Sequence, residues 1–328
     1  KKLNPEASFL FFGTEKGLES DLVRREGIPF EAIEITGFKR SLSFENIKTI
    51  TRFLTGVSKS KKLLKEYKPD VVIGTGGYVC GPVVYAASRL KVPTIIHEQN
   101  SVPGLTNKFL SRYVSKVAIS FEESAQFFPK DKVILTGNPR GSEVVSHIGS
   151  KEIESLGVDP TKPVVLIFGG SRGAKAINEA VLKNIEALKD KPYQVIYITG
   201  EVHYQSVKDE LDLVGTPPNI IVKPFIHNMP EILPAVDLVV SRAGATAIFE
   251  IMSCKKPVVF IPLSENVSRG DQVLNARFID KEGLGKILEE GFSTEEFINT
   301  INTVYKSGKD MVKKQSRFID GSSEDKVI

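Results

Sequence analysis

Short unbroken apolar runs punctuate the chain at residues 9–12, 71–73, 94–96 and 133–135, and again at 164–168, 194–198, 238–240 and 258–261. Runs of that length without polar alternation predict strands buried on both faces, as in a parallel sheet. The stretches between them are longer and carry apolar residues at the spacing of helices packed on such a sheet. The rhythm of strand, helix, strand runs twice. Residues 142–162 interrupt it with charges, Gly149, Gly157 and Pro160 and no strand signal, which marks a hinge. The pattern therefore predicts an α/β chain of two doubly wound domains, residues 1–141 and 163–328, joined by that linker. Lys1, Lys2, Leu3, Asn4 and Pro5 read as the tail of a helix and a turn into the run at 9–12, so the first domain is expected to be truncated at its start, with an N-terminal βα unit missing.

At 328 residues the chain exceeds the span of about 100–200 usual for one domain, in keeping with two cores. A formal charge of +4 suits anionic partners, phosphates or an acidic lipid surface, without demanding nucleic acid. Cys80 and Cys254 are the only cysteines, and no Cys or His stands at metal-ligand spacing. Neither a disulfide framework nor a zinc site is supported, and a reducing cytoplasm is the simplest setting. No apolar run approaches the ~18 residues needed to span a bilayer, so a soluble or peripherally attached protein is expected.

Three Gly-rich turns follow predicted strands. The first is Gly74-Thr75-Gly76-Gly77-Tyr78-Val79-Cys80-Gly81-Pro82, entering a helix whose N-terminus offers unpaired N–H groups to an anion. Tight packing alone explains such a turn about as well. The second is Gly169-Gly170-Ser171-Arg172-Gly173-Ala174, where Ser171 can donate to a phosphate oxygen. It is not a P-loop, because the Gly-Lys-Ser/Thr ending is absent, and its spacing fails the dinucleotide fingerprint. The third runs from Ser241 through Arg242, Ala243 and Gly244 into a helix carrying Glu250, a carboxylate that can accept hydrogen bonds from vicinal hydroxyls or simply face solvent. Phe225 and Ile226 can hold a flat base, though core packing explains them equally well.

Together with His97-Glu98-Gln99-Asn100, Pro103-Gly104, Gly137-Asn138-Pro139-Arg140, and Gln272 through Asn275 and Ala276, these turns resemble the MurG family of bacterial glycosyltransferases, glycosyltransferase family 28, along nearly the whole chain and in the same order. The resemblance implies two Rossmann-like domains facing a cleft, the GT-B arrangement, with the sugar nucleotide held by the C-terminal domain and the lipid acceptor by the N-terminal one. It implies inverting transfer of N-acetylglucosamine from UDP-N-acetylglucosamine to the C4 hydroxyl of undecaprenyl-diphospho-muramoylpentapeptide, converting lipid I to lipid II. The implied setting is peptidoglycan synthesis, and with it cell shape and division, at the cytoplasmic face of the membrane. No cofactor and no metal is implied; helix N-termini at the second and third turns stabilise the departing diphosphate instead.

Carried over residue by residue, the resemblance makes Ser171 a donor phosphate or sugar contact, Ile226 the backbone contact to uracil and Glu250 the ribose carboxylate. Ala245, Thr246 and Ala247 become the helix start facing the diphosphate, and Gln272 a contact to donor sugar hydroxyls. Asn100 and Arg140 become donor contacts reaching across the cleft. Gly76, Gly77, Tyr78, His97, Glu98 and Asn107 form the acceptor side, and Asn178 is a lesser match. Cys80 stands where the family often has Ser, and residues 264–270 depart from its pattern, which leaves a sugar contact at Asp271 in doubt. The His commonly proposed as general base has no counterpart here. His97 is a weak substitute for it, and a hydrogen-bonded strand-end histidine is the plainer reading. A UDP-N-acetylglucosamine 2-epimerase, or a UDP-sugar-binding chain without turnover, is the alternative.

Residues 39–68 set Lys39, Arg40, Lys48, Arg52, Lys59, Lys61, Lys62, Lys65 and Lys68 among Ile47, Ile50, Phe53 and Leu54, with only Glu45 and Glu66 opposing. By themselves these residues read more plainly as a solvated helix with one core-facing stripe; the lipid-linked acceptor that the resemblance implies favours a helix lying on an anionic leaflet.

Overall fold

The computed structural model describes residues 4–37, 44–170, 172–264 and 270–318, with the side chains of 18 and 44–47 left out. They divide into two compact units: Lys1–Gln99 with Pro103–Leu135, and Asn100–Val102 with Thr136–Ile328. Each is a parallel α/β layer of Rossmann-like kind, as the strand and helix rhythm predicts.

The first unit contains strands β1 (Phe11–Gly13), β2 (Phe30–Ala32), β3 (Val72–Gly74), β4 (Thr94–Glu98), β5 (Lys116–Ile119) and β6 (Val133–Leu135). Its helices are α1 (Leu18–Arg25), α2 (Phe44–Tyr67), α3 (Gly77–Arg89) and α4 (Leu105–Leu110). The strands form two separate parallel ladders, β1–β2 and β3–β4–β5–β6. Helix α3 packs on α2 and on the strands, burying Val83, Val84, Ala86 and Ala87 against Val72, Ile96, Val117 and Ile119.

The second unit contains β7 (Val164–Phe168), β8 (Gln194–Ile198), β9 (Ile220–Lys223), β10 (Leu238–Ser241), β11 (Val258–Phe260) and β12 (Lys286–Ile287). Its helices are α5 (Pro139–Val145), α6 (Lys175–Lys183), α7 (Ile185–Lys189), α8 (Glu201–Val214), α9 (Met229–Ile232), α10 (Ala245–Ser253), α11 (Asp271–Lys281) and α12 (Thr294–Phe318). All six strands join one parallel sheet in the order β12-β11-β10-β7-β8-β9, which puts β7 and β10 at its centre. Every residue of β7, β8, β10 and β11 is buried, as two-sided helix cover requires. Helix α12 closes one face through Phe297, Ile301 and Val304, and buried Gln315 donates to the Lys256 and Leu284 carbonyls at 3.0 and 2.7 Å.

The runs at 133–135, 164–168 and 194–198 are strands at those residues, while that at 9–12 moves to Phe11–Gly13, because the ladder begins only where Phe11 meets Phe30. Strands β2, β5 and β12 carry no readable run: Glu31 divides the first, Lys116 opens the second, and the third has two residues.

Candidate functional site

Parallel strands all run one way, so the loops after β7, β8, β9, β10 and β11 emerge on one edge of the second unit's sheet, the usual ligand edge of such a fold. Helix α10 starts there directly after β10. Its N-cap, Gly244, is extended (φ −67°, ψ 139°) and has no side chain to cap the first turn. The first-turn residues Ala245, Thr246 and Ala247 are small, so the positive end of the nine-residue helix is approachable.

One turn further along α10 stands Glu250. Arg140, in the first turn of α5, donates to its Oε1 from Nε at 2.8 Å, with Nη2 paired to the same oxygen at 2.7 Å, and pairs with Glu143 through Nη1. Helix α5 is set for this by Asn138, whose Oδ1 accepts from the Arg140 N–H at 3.1 Å, and by Gly141. A Cβ on Gly141 would lie 2.3 Å from Ser253 Oγ, so the glycine lets α5 lie this close to α10 without moving that side chain. Burial pushes the Glu250 carboxyl above its ordinary range, while the hydrogen bonds and charge of Arg140 pull it down.

The loop after β11 is held by side chains to which sequence reasoning assigned no bracing role. Arg242, nearly buried, donates to the Ile261 and Pro262 carbonyls at 3.1 and 3.2 Å and pairs with Glu290 at 2.6 Å. Glu290 accepts in turn from the Ser264 N–H at 3.2 Å. Gln272 Oε1 accepts from the Leu263 N–H at 3.0 Å, which fixes which end of its amide donates. Fully buried Asn275, one turn along α11, accepts at Oδ1 from Ser101 N and Oγ at 3.0 and 2.9 Å and donates to Asn100 Oδ1 at 3.2 Å. The motif gave Arg242 and Asn275 as matches only; Glu290, after a two-residue strand, gave no signal.

Among the remaining donor-side residues, Ser171 and residues 265–269 lie outside the described residues. The entry to α6 is braced from the end of β8: a Cβ on Gly173 would meet the Thr199 carbonyl oxygen at 2.1 Å, and Asn178 donates to that same oxygen at 3.0 Å. Ile226 is buried between β9 and α9, with Phe225 and His227 edge to face at 4.9 Å beside it. Asn100, Arg140, Ile226, Ala245, Thr246, Ala247, Glu250 and Gln272 all belong to the second unit.

In the first unit Gly76 and Gly77 turn into α3 with φ of 92° and 79°, angles that favour glycine. Tyr78 is exposed, its ring against Gly37. Behind the turn, Glu98 Oε2 accepts from Asn107 Nδ2 at 2.8 Å and from the Gly104 N–H at 3.2 Å, and Asn107 also donates to the His97 carbonyl. His97 is buried, with Nε2 3.4 Å from Ser120 Oγ. These side chains form a packed network that ties the end of β4 to α4. Cys80 lies beneath the turn, its thiol pushed up to about 11 by burial, and burial likewise pushes Cys254 at the end of α10 to about 12.

Of the basic segment, Lys39 and Arg40 fall outside the described residues, as do the side chains of Glu45 and Ile47. The remainder lies on α2, apart from Lys68 just past its end; Ile50 and Leu54 are exposed there, and Phe53 joins an aromatic cluster with Tyr85, Phe109 and Tyr113. No helix among the described residues is long and apolar enough to cross a membrane.

Residues 1–119 match the glycosyltransferase family 28 N-terminal domain and residues 164–326 the family's C-terminal domain. A Bacillus pumilus protein named UDP-N-acetylglucosamine--N-acetylmuramyl-(pentapeptide) pyrophosphoryl-undecaprenol N-acetylglucosamine transferase is 59% identical over 290 residues, 88% of this chain and 79% of its own length. Among solved structures, Acinetobacter baumannii MurG is similar with a TM-score of 0.72 at 28% identity, covering 98% of this chain and 89% of that one. A UDP-GlcNAc 2-epimerase from Neisseria meningitidis, bound to UDP-GlcNAc, has a TM-score of 0.67 at 15% identity, over 99% of this chain and 92% of its own, a likeness of fold alone.

Proposed function

The chain belongs to glycosyltransferase family 28, and on that premise we propose that it transfers N-acetylglucosamine from UDP-N-acetylglucosamine to the C4 hydroxyl of undecaprenyl-diphospho-muramoylpentapeptide, with inversion. The observation that carries the donor half of this reading is helix α10, which offers an uncapped N-terminus of small residues and, one turn later, a half-buried carboxylate. A diphosphate at Ala245, Thr246 and Ala247 meets unpaired N–H groups and the positive helix end, and a ribose alongside reaches Glu250. Ile226 then presents backbone groups to the uracil, Gln272 donates to the sugar hydroxyls, and Asn100, Arg140 and Ser171 complete the donor contacts. The acceptor side is the turn at Gly76, Gly77 and Tyr78, supported from behind by His97, Glu98 and Asn107.

Inverting transfer needs proton removal from the acceptor hydroxyl as it attacks the anomeric carbon, and stabilisation of the charge that grows on the departing UDP. The N-termini of α10 and α6 serve the second need. Attachment to the cytoplasmic face of the membrane follows the lipid nature of the acceptor. Exposed Ile50 and Leu54, the edge of the aromatic cluster and the lysines of α2 supply an apolar and basic surface for it.

The test is transfer of labelled N-acetylglucosamine from UDP to a short-chain lipid I analogue, with UDP binding measured by calorimetry. Expected are sugar transfer and UDP binding in the wild type. Conversion of UDP-N-acetylglucosamine to its C2 epimer in the absence of acceptor, with no transfer in its presence, would replace this reading with the epimerase one.

A further inference from the structure

Arginine and carboxylate usually meet fork to fork, each oxygen taking one N–H. Arg140 and Glu250 do not. Nε and Nη2 both converge on Oε1, at 2.8 and 2.7 Å, and no described residue bonds Oε2. The arginine is itself restrained: its backbone N–H is held by Asn138 Oδ1, its guanidinium Nη1 pairs with Glu143, and its helix packs on α10. A side chain anchored in this way sets the rotation of the carboxylate it grips.

We propose that Arg140 is a positioning residue for Glu250: by taking Oε1 it fixes the carboxylate plane and leaves Oε2 as the acceptor for the ribose hydroxyls of the sugar nucleotide. This rests on the reading that Glu250 receives the ribose. It departs from that reading in what it asks of Arg140, whose charge is spent on Glu250 and Glu143 rather than on the diphosphate. The burial of Glu250 supports it, because a carboxylate taken from water holds its charge only with a partner, and Arg140 is the cation beside it. The sequence spacing agrees. Gly137, Asn138, Pro139, Arg140 and Gly141 supply in order a turn, a cap, a helix start, the guanidinium and the close approach to α10.

Dissociation constants for UDP, 2′-deoxy-UDP and uridine test the assignment on the wild type, Arg140→Met, Glu250→Gln and the double variant. Wild type is expected to prefer UDP over 2′-deoxy-UDP by about tenfold to a hundredfold, the range of a hydrogen bond to a charged group. In Arg140→Met and in Glu250→Gln that preference falls toward unity, and the double variant loses no more than either alone, because both changes remove one interaction. Uridine affinity falls in Arg140→Met as well, since the effect passes through the ribose. Equal weakening of UDP and 2′-deoxy-UDP with uridine unaffected would make Arg140 a diphosphate contact and overturn the proposal, as would an Arg140→Met protein that keeps the wild-type preference. A wild type without any preference for the 2′-hydroxyl would instead remove the ribose role of Glu250, and with it the premise. Loss of general fold does not imitate the expected result, because it lowers all three affinities without changing their ratio.

Discussion

The two units are made from the same alternation of strand and helix, yet they differ in how completely their strands are used. In the second, six strands share one sheet and the four central ones are buried throughout. In the first, the strands divide into ladders of two and four, and Phe11 and Ile73 stand 38% and 55% exposed. A continuous sheet fixes the loops at its edge, and side chains packed behind them can brace them further. Arg242, Gln272, Asn275 and Asn178 all do so in the second unit. The first unit relies on α2 and α3 packed together and keeps an aromatic and basic surface outside. On the proposed function, the second unit carries the nucleotide-binding edge and the first the surface offered to the lipid-linked acceptor.

The largest effect that distinguishes them is on stability. Leu166→Ala, at the centre of the continuous sheet, is expected to lower the unfolding free energy by about 2–5 kcal/mol, while exposed Ile73→Ala on β3 stays within about 0.5 kcal/mol. Chemical denaturation measures both, and equal losses would erase the contrast. Next comes membrane binding. Leu54→Asp or Phe109→Asp is expected to weaken co-sedimentation with anionic vesicles by about tenfold, the order of one apolar side chain returned to water, with UDP affinity unchanged. Leu213→Asp, at a still more exposed position but on the second unit, should change neither quantity.

The smallest is a pH effect confined to the second unit. Glu250 has its pKa raised by burial, against the lowering effect of Arg140 and with a raising contribution from Glu143. Its acceptor capacity is complete above that raised value and is lost as the pH falls through it. Removing Arg140 leaves burial unopposed, so the Glu250 carboxyl of Arg140→Met, followed by carboxyl NMR from about pH 8 to about pH 5, should titrate at higher pH than in the wild type. Identical profiles would mean that Arg140 does not govern the carboxylate.

Much of the second unit was legible in the sequence because burial on both faces writes strands as unbroken apolar runs, and β7 and β8 stand at the residues so marked. The first unit was harder to read for the same reason: a short ladder strand such as Phe30–Ala32 gains little from burial and tolerates Glu31 at its centre. The Gly-rich turns were visible because strand ends and positive φ demand glycine at particular places, as at Gly76 and Gly77. Glu250 was singled out by its place after such a turn. Its grip by Arg140, 110 residues earlier in the chain, was not, since tertiary pairing leaves no local pattern. The same holds for the Arg242 and Glu290 pair and for Asn275, whose amide reads like any polar residue on a helix until its burial is seen.

The two buried cysteines bear on chemistry done to the protein rather than by it. Thiol reagents attack the thiolate, and thiols at about 11 and about 12 supply almost none near neutral pH. Cys80 and Cys254 therefore form a silent background for labelling. A cysteine introduced at exposed Leu105 or at exposed Leu213 would be the one that takes a maleimide dye, so each unit can carry its own fluorescent reporter without first stripping the natural thiols from the chain.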